Sequence, residues 1–352
     1  MISTDAVTAL EHVLAEGERS GSIREAPGLT RREAPRALLV PSRVPELLGM
    51  AGIEWAWLVA LWAGMAWLPW WLYPLLALGV AGRLHALAVI VHDTLHMAWR
   101  RRTAGIRLLE VLCAYPVATT LAAMRYHHLR HHRDNGMPTD PYFQPRLERS
   151  LRLFARNVGR GLLLLPFWTV RAPFGWLAAR VPGLRTPYAR IFLQDRSRRD
   201  LGASAEVIEC GRQELGQMVF QGGLVILAVA APRAVLWGYV VPAAITGVLA
   251  AWRLRLEHNY RSVQDRDVAA IFATTNDHHL GWRGRLLLAP RNIGYHVVHH
   301  IHPQVGLARL PALSDWYRRR YPNDYPRWGA ATGPPNARRA HAPPGRSSKT
   351  AP

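Results

Sequence analysis

The chain has 352 residues, 49% of them hydrophobic, and a formal charge of +20 that is nearly all arginine, Lys349 being the single lysine. No segment interleaves basic and aromatic residues in the way that nucleic-acid-reading modules do, so nucleic acid is excluded as the partner and a membrane becomes the natural source of the basic skew. Cys113 and Cys210 lie far apart and form no CxxC, which excludes a disulfide framework and a thiolate metal site.

Residues 1–45 are polar, with prolines at 27, 35, 41 and 45. They read as a short amphipathic helix near Ala6–Glu16 and a lead-in held on the cytoplasmic face by Arg31, Arg32, Arg36 and Arg43. From Trp55 to Gly82 no residue is charged, and Pro69, Trp70, Trp71 and Pro74 interrupt the run. About 20 residues cross the hydrocarbon core, so this stretch reads as a hairpin: one span ending near Leu68, then a return helix. Six of the fourteen tryptophans fall between 55 and 71, as a membrane interface favours. The return helix places Arg83 and His85 near the cytoplasmic boundary and carries His92 and His96 beyond it.

Residues 106–124 are apolar but hold Arg107, Glu110 and Pro116. If they spanned the membrane, the histidines that follow would be cut off from His92 and His96, so a re-entrant or interfacial helix is expected. Residues 147–200 alternate arginines with apolar runs such as Leu162–Trp168 and Phe174–Ala179, a pattern that suits interfacial helices. A second hairpin follows, Gly216–Ala231 and Ala234–Trp252, ending in Arg253 and Arg255. The expected fold is an all-α integral membrane protein with about four transmembrane helices in two hairpins and a cytoplasmic helical cap. Three parts are expected: the segment 1–45, a membrane domain 46–325, and a disordered basic tail 326–352.

Three stretches, His92–His96, His127–His132 and His296–His302, hold ten of the sixteen histidines. Neutral imidazole is the commonest metal ligand, and such clustering points to a metal centre. His92 and His96 share one face of a helix at i, i+4. In the second stretch His128 and His131 are about a turn apart while His132 points about 100° away, an offset that suits one ligand to each of two metals. His296, His299 and His300 repeat the arrangement. Eight histidines exceed the four ligands of a structural zinc, so two metals are expected, with His258 as a ninth ligand. HExxH is absent, which argues against a zincin. Ligand type alone does not choose among zinc, copper, iron and nickel; ligand count and membrane placement favour a di-iron centre.

These residues resemble the membrane fatty-acid desaturase/hydroxylase family, whose members carry HxxxH, HxxHH and HxxHH boxes. The matching residues are His92/His96, His128/His131/His132 and His296/His299/His300. Asp140-Pro141 resembles the family's DP turn, and Asn292–His300, Pro303 and Leu310–Leu313 resemble its C-terminal signature. The resemblance covers about residues 50–318. It implies two iron ions (Fe²⁺) using O₂ as co-substrate, with electrons from an external ferredoxin- or cytochrome-type carrier. It further implies a fatty-acyl or lipid substrate, and an inner-membrane location with the boxes and both termini cytoplasmic. His258 stands where the family supplies a ligand between the last two boxes, while Leu254 replaces an asparagine that some members use. Asp93, Asp140 and Glu257 are candidates to orient imidazole N–H groups; His127, His278, His279 and His302 fall outside the pattern. A desaturase is expected, with a hydroxylase, ketolase or oxidative decarboxylase as the alternative on the same scaffold, and a non-catalytic membrane metal carrier as a more remote one.

Overall fold

The computed structural model describes residues 29–97, 102–144, 150–278 and 282–326. The expected helix near Ala6–Glu16, the tail beyond 326 and His279 therefore lie outside the described residues. Within them the protein is helical and contains no β-strand; an isolated antiparallel bridge joins His258 and Thr275.

Four helices are long and apolar enough to cross a membrane, and they form two hairpins: α1 (Val44–Trp67) with α2 (Trp70–Leu95), and later α8 (Ala205–Ala230) with α9 (Pro232–Glu257). Two of them begin well before their apolar runs. Helix α1 starts at Val44, where Glu46 accepts the Arg43 amide at 3.1 Å and pairs with the Arg43 guanidinium at 2.9 Å. It carries the buried Glu54 through the helix because Arg83 of α2, at 2.8 Å, and Arg291 both pair with it. Helix α8 starts eleven residues ahead of Gly216. Its acidic first turns are neutralised by Arg130, 2.8 Å from Glu206, and by the fully buried Arg171, 2.7 Å from Glu214. A buried carboxylate persists only with such a partner.

Between the hairpins, α3 (Ala104–Val117) and α4 (Leu121–Asp134) meet at a bend of 80°. Ala118 turns the corner in the left-handed region at φ 57°. Glu110 fixes the bend by accepting the Leu121 amide at 2.9 Å while pairing with Arg102 at 2.7 Å. The bend falls within residues 106–124, where a re-entrant or interfacial helix is expected, and it brings α4 back to the end of α2.

Helices α5 (Leu151–Arg160), α6 (Leu164–Ala178) and α7 (Pro182–Ile191) pack over the spans. Two glycine contacts set this packing. A Cβ on Gly211 of α8 would strike the Gly175 carbonyl of α6, and one on Gly247 of α9 would strike the Gly161 carbonyl just after α5. The remaining helices are α10 (Val268–Thr274), α11 (Trp282–Leu287), α12 (His296–Ile301) and α13 (Leu310–Arg320). Val297, Val298 and Ile301 bury one side of α12 in a cluster with Val268, Ile271, Leu310, Leu313 and Tyr317. Arg83 and His85 anchor α11: Arg83 Nη2 donates to the Leu286 carbonyl at 2.7 Å, and His85 Nδ1 lies 2.6 Å from that of Leu287.

Candidate metal centre

All nine histidines singled out as ligands converge, and they fall into two groups. His92, His96, His128, His132 and His299 form the first; His131, His258, His296 and His300 form the second. Helices α4 and α12 each contribute to both, so the groups are neighbours: the His132 and His300 rings stack with centroids 4.2 Å apart.

Within the second and third boxes the two adjacent histidines serve different groups, as their angular offset implies. His128 pairs with His132 in the first group while His131 turns into the second. In the third box His296 pairs with His300 while His299 crosses to the first group. The i, i+4 partners stay together, and the residue between them serves the other group. On a helix i+4 lies about 40° from i, whereas i+3 lies about 60° away on the opposite side, so i+4 is the closer match in direction.

The donor geometry suits metal ions. Within each group the ligand atoms lie within 4.8 Å of one another, and two nitrogens across a metal at about 2.1 Å are about 4.2 Å apart. Imidazole Nε2 atoms face each other in pairs: His96 with His128 at 2.8 Å, His132 with His299 at 3.1 Å, His258 with His296 at 3.1 Å and His296 with His300 at 3.0 Å. Burial holds His96, His258, His296 and His300 well below the usual imidazole range, with neighbouring histidines adding to the effect, and it pushes His299 to about 3. Neutral rings converging through Nε2 form a preorganised ligand set.

The three candidate orienting carboxylates behave differently. Asp140 Oδ1 lies 2.8 Å from His131 Nδ1, which orients that ring toward the second group. Glu257 pairs with Arg253 at 3.2 Å and with His278 at 3.3 Å, and stands 3.8 Å from His296 Nδ1. Asp93 accepts instead from Ser42 at 2.6 Å, tying the segment before α1 to the end of α2. His127 engages the Tyr142 hydroxyl at 2.7 Å and His302 that of Tyr317 at 2.8 Å. With His278 on Glu257, these three histidines stand outside both groups.

Sequence reasoning missed Asp277. Its Oδ1 accepts the Val297 amide at 2.9 Å in the first turn of α12. Its Oδ2 takes the Tyr325 hydroxyl at 2.6 Å and the Ser314 hydroxyl at 3.0 Å. The same segment pairs with the strand-like backbone at His258 through Thr275, so residues 275–277 brace ligands from two elements. A lone acid ahead of a histidine box was the only sequence signal.

A half-open cavity of about 370 Å³ reaches the centre. His92, His128, His131, His258 and His296 lie along its wall, so it touches both groups. It follows α9 from Ala243 to Glu257, about 21 Å at about 1.5 Å per residue. Its lining is mostly apolar, including Leu84, Ala88, Leu164, Trp168 and Ala250.

Helices long and apolar enough to span a membrane carry two histidine groups that could hold metal ions beside an apolar cavity. The family model for fatty acid desaturases matches residues 65–332, well over half of the chain. The chain belongs to the fatty acid desaturase family. No curated protein matches it.

Proposed function

We propose that the protein is a membrane-bound, O₂-dependent desaturase of fatty-acyl or lipid substrates, with two iron ions held by the nine histidines. The observation that carries this reading is that both histidine groups border one apolar cavity. Bound there, an iron pair would supply O₂ activation and the oxidation of a C–H bond that no acid or base can ionise. The balanced reaction takes two hydrogens from adjacent carbons, O₂, two electrons and two protons, and gives an alkene and two waters.

The chain's own residues hold and exclude. His92, His96, His128, His132 and His299 would keep one metal; His131, His258, His296 and His300 would keep the other. Asp140 fixes the His131 ring, and Glu257 places negative charge near His296. The apolar walls keep water from competing with the substrate at the reacting carbon. Electrons enter from a separate ferredoxin- or cytochrome-type donor. Arginines at the α1 start and α9 end orient the histidine side, both termini and the helical cap of an inner-membrane protein toward the cytoplasm. The segment 1–45, the domain 46–325 and the tail 326–352 remain the proposed division.

Lipid profiling of cells with and without the gene, read by mass spectrometry, tests the reading. A product two hydrogens lighter than its precursor supports it. A product heavier by one oxygen assigns the chain to hydroxylation and refutes desaturation.

A further inference from the structure

The cavity lining carries three arginines, Arg160, Arg253 and Arg255, against a single carboxylate, Glu257. Arg253 lies one helical turn before Glu257 on α9. Its Nε pairs with Glu257 at 3.2 Å, and Glu257 in turn stands 3.8 Å from His296 Nδ1. The contact is an ion pair without hydrogen-bond geometry, and the buried Nε and Nη1 of this five-donor group find no hydrogen-bond acceptor within the protein. The side chain is partly buried, and buried guanidinium donors are costly unless an acceptor completes them. Arg255 spends one donor on the His258 carbonyl at 3.4 Å, and Arg160 is exposed at the rim. An otherwise apolar cavity with excess positive charge at its histidine end matches an amphiphile whose head is anionic.

We propose that Arg253 holds the anionic oxygen head of the substrate, a carboxylate or phosphate ester, at the histidine end of the cavity, with the apolar tail running along α9 toward Ala243. This rests on the cavity being the substrate site of the proposed oxidation. It makes Arg253 a specificity-determining residue and has the oxidised carbon counted from the head.

The test measures binding to the purified full-length protein in neutral detergent, without an electron donor so that no turnover occurs, using tryptophan fluorescence. The probes are dodecanoate, dodecyl phosphate and methyl dodecanoate. Dodecanoate or dodecyl phosphate should bind at least about tenfold more tightly than the ester, the scale of one hydrogen bond to a charged group. Arg253→Gln should erase that preference, and Arg253→Lys should keep part of it. Preference for the carboxylate alone assigns the head to a free fatty acid; preference for the phosphate alone assigns it to a phospholipid. Equal binding of all three probes by the wild-type protein overturns the proposal even if the variants fail to fold, as does a preference unchanged in Arg253→Gln. Binding without any oxidised lipid in cells would sink the desaturase reading and leave the anion site standing.

Discussion

His131 Nδ1 and Asp140 Oδ1 lie 2.8 Å apart, both buried, on opposite sides of the turn that ends α4. The contact fixes which ring nitrogen is free to ligate and where it points. Removing the carboxylate should weaken metal retention in the second group alone. Asp140→Asn is expected to lower metal affinity there by about 10- to 100-fold, leaving the first group occupied. Metal-to-protein ratios after dialysis check this; full retention in Asp140→Asn would contradict it.

Asp277 ties α12 to Ser314 of α13 and to Tyr325. Asp277→Ala strands the Val297 amide in a buried site and removes the acceptor shared by the Ser314 and Tyr325 hydroxyls, a loss of about 1–3 kcal/mol for the helix end. Because α12 feeds both groups, metal should be lost from both together, unlike the Asp140 variant. Asp277→Asn, which can still accept the amide, should recover most of the melting temperature. A variant that loses metal from one group only would speak against this bracing role.

Acid should destabilise the metal-free protein. The folded chain keeps His258, His296 and His300 neutral and sets His299 at about 3, whereas an unfolded histidine protonates near about 6.5. The unfolded state therefore binds more protons as pH falls below about 6.5. Stability from the neutral rings is fully present above that value and is lost on descent toward about 3. Melting temperature of the metal-free protein should fall steadily between pH 6.5 and 4.5. A flat profile over that range would show that the rings are not held neutral by the fold.

Gly247 and Gly161 touch backbone to backbone where α5 and α9 cross, beside the cavity. Gly247→Val forces the two apart at a cost of about 1–3 kcal/mol. The helices should still insert, but the cavity wall should shift, so lipid oxidation should drop while metal content stays near wild type. Unchanged product formation would remove this crossing from the substrate site.

Much of the centre was legible because metal ligation leaves a spacing signature. The i, i+4 pairs His92/His96, His128/His132 and His296/His300 stand out against a chain in which histidine is otherwise sparse, and the uncharged runs mark the hairpins. The assignment of His131 and His299 was not legible, because i+3 and i+4 both lie within about 60° of i and packing of α4 against α12 decides between them. Helix starts at Val44 and Ala205 were misplaced because Glu54, Glu206 and Glu214 look like boundaries until Arg83, Arg130 and Arg171 are seen beside them. Asp277 and Arg253 stayed hidden for a similar reason: their meaning lies in contacts such as Asp277 with Val297 and Tyr325, not in any local pattern.

The central claim is that nine histidines hold two iron ions for lipid oxidation. Iron analysis of the purified wild-type protein beside His131→Ala and His299→Ala tests it most directly. Two iron ions per chain in the wild type, a marked loss in each variant and no desaturated lipid from either are the predicted result. Wild-type protein that forms the alkene without iron, or variants that keep both ions and full activity, would contradict the account.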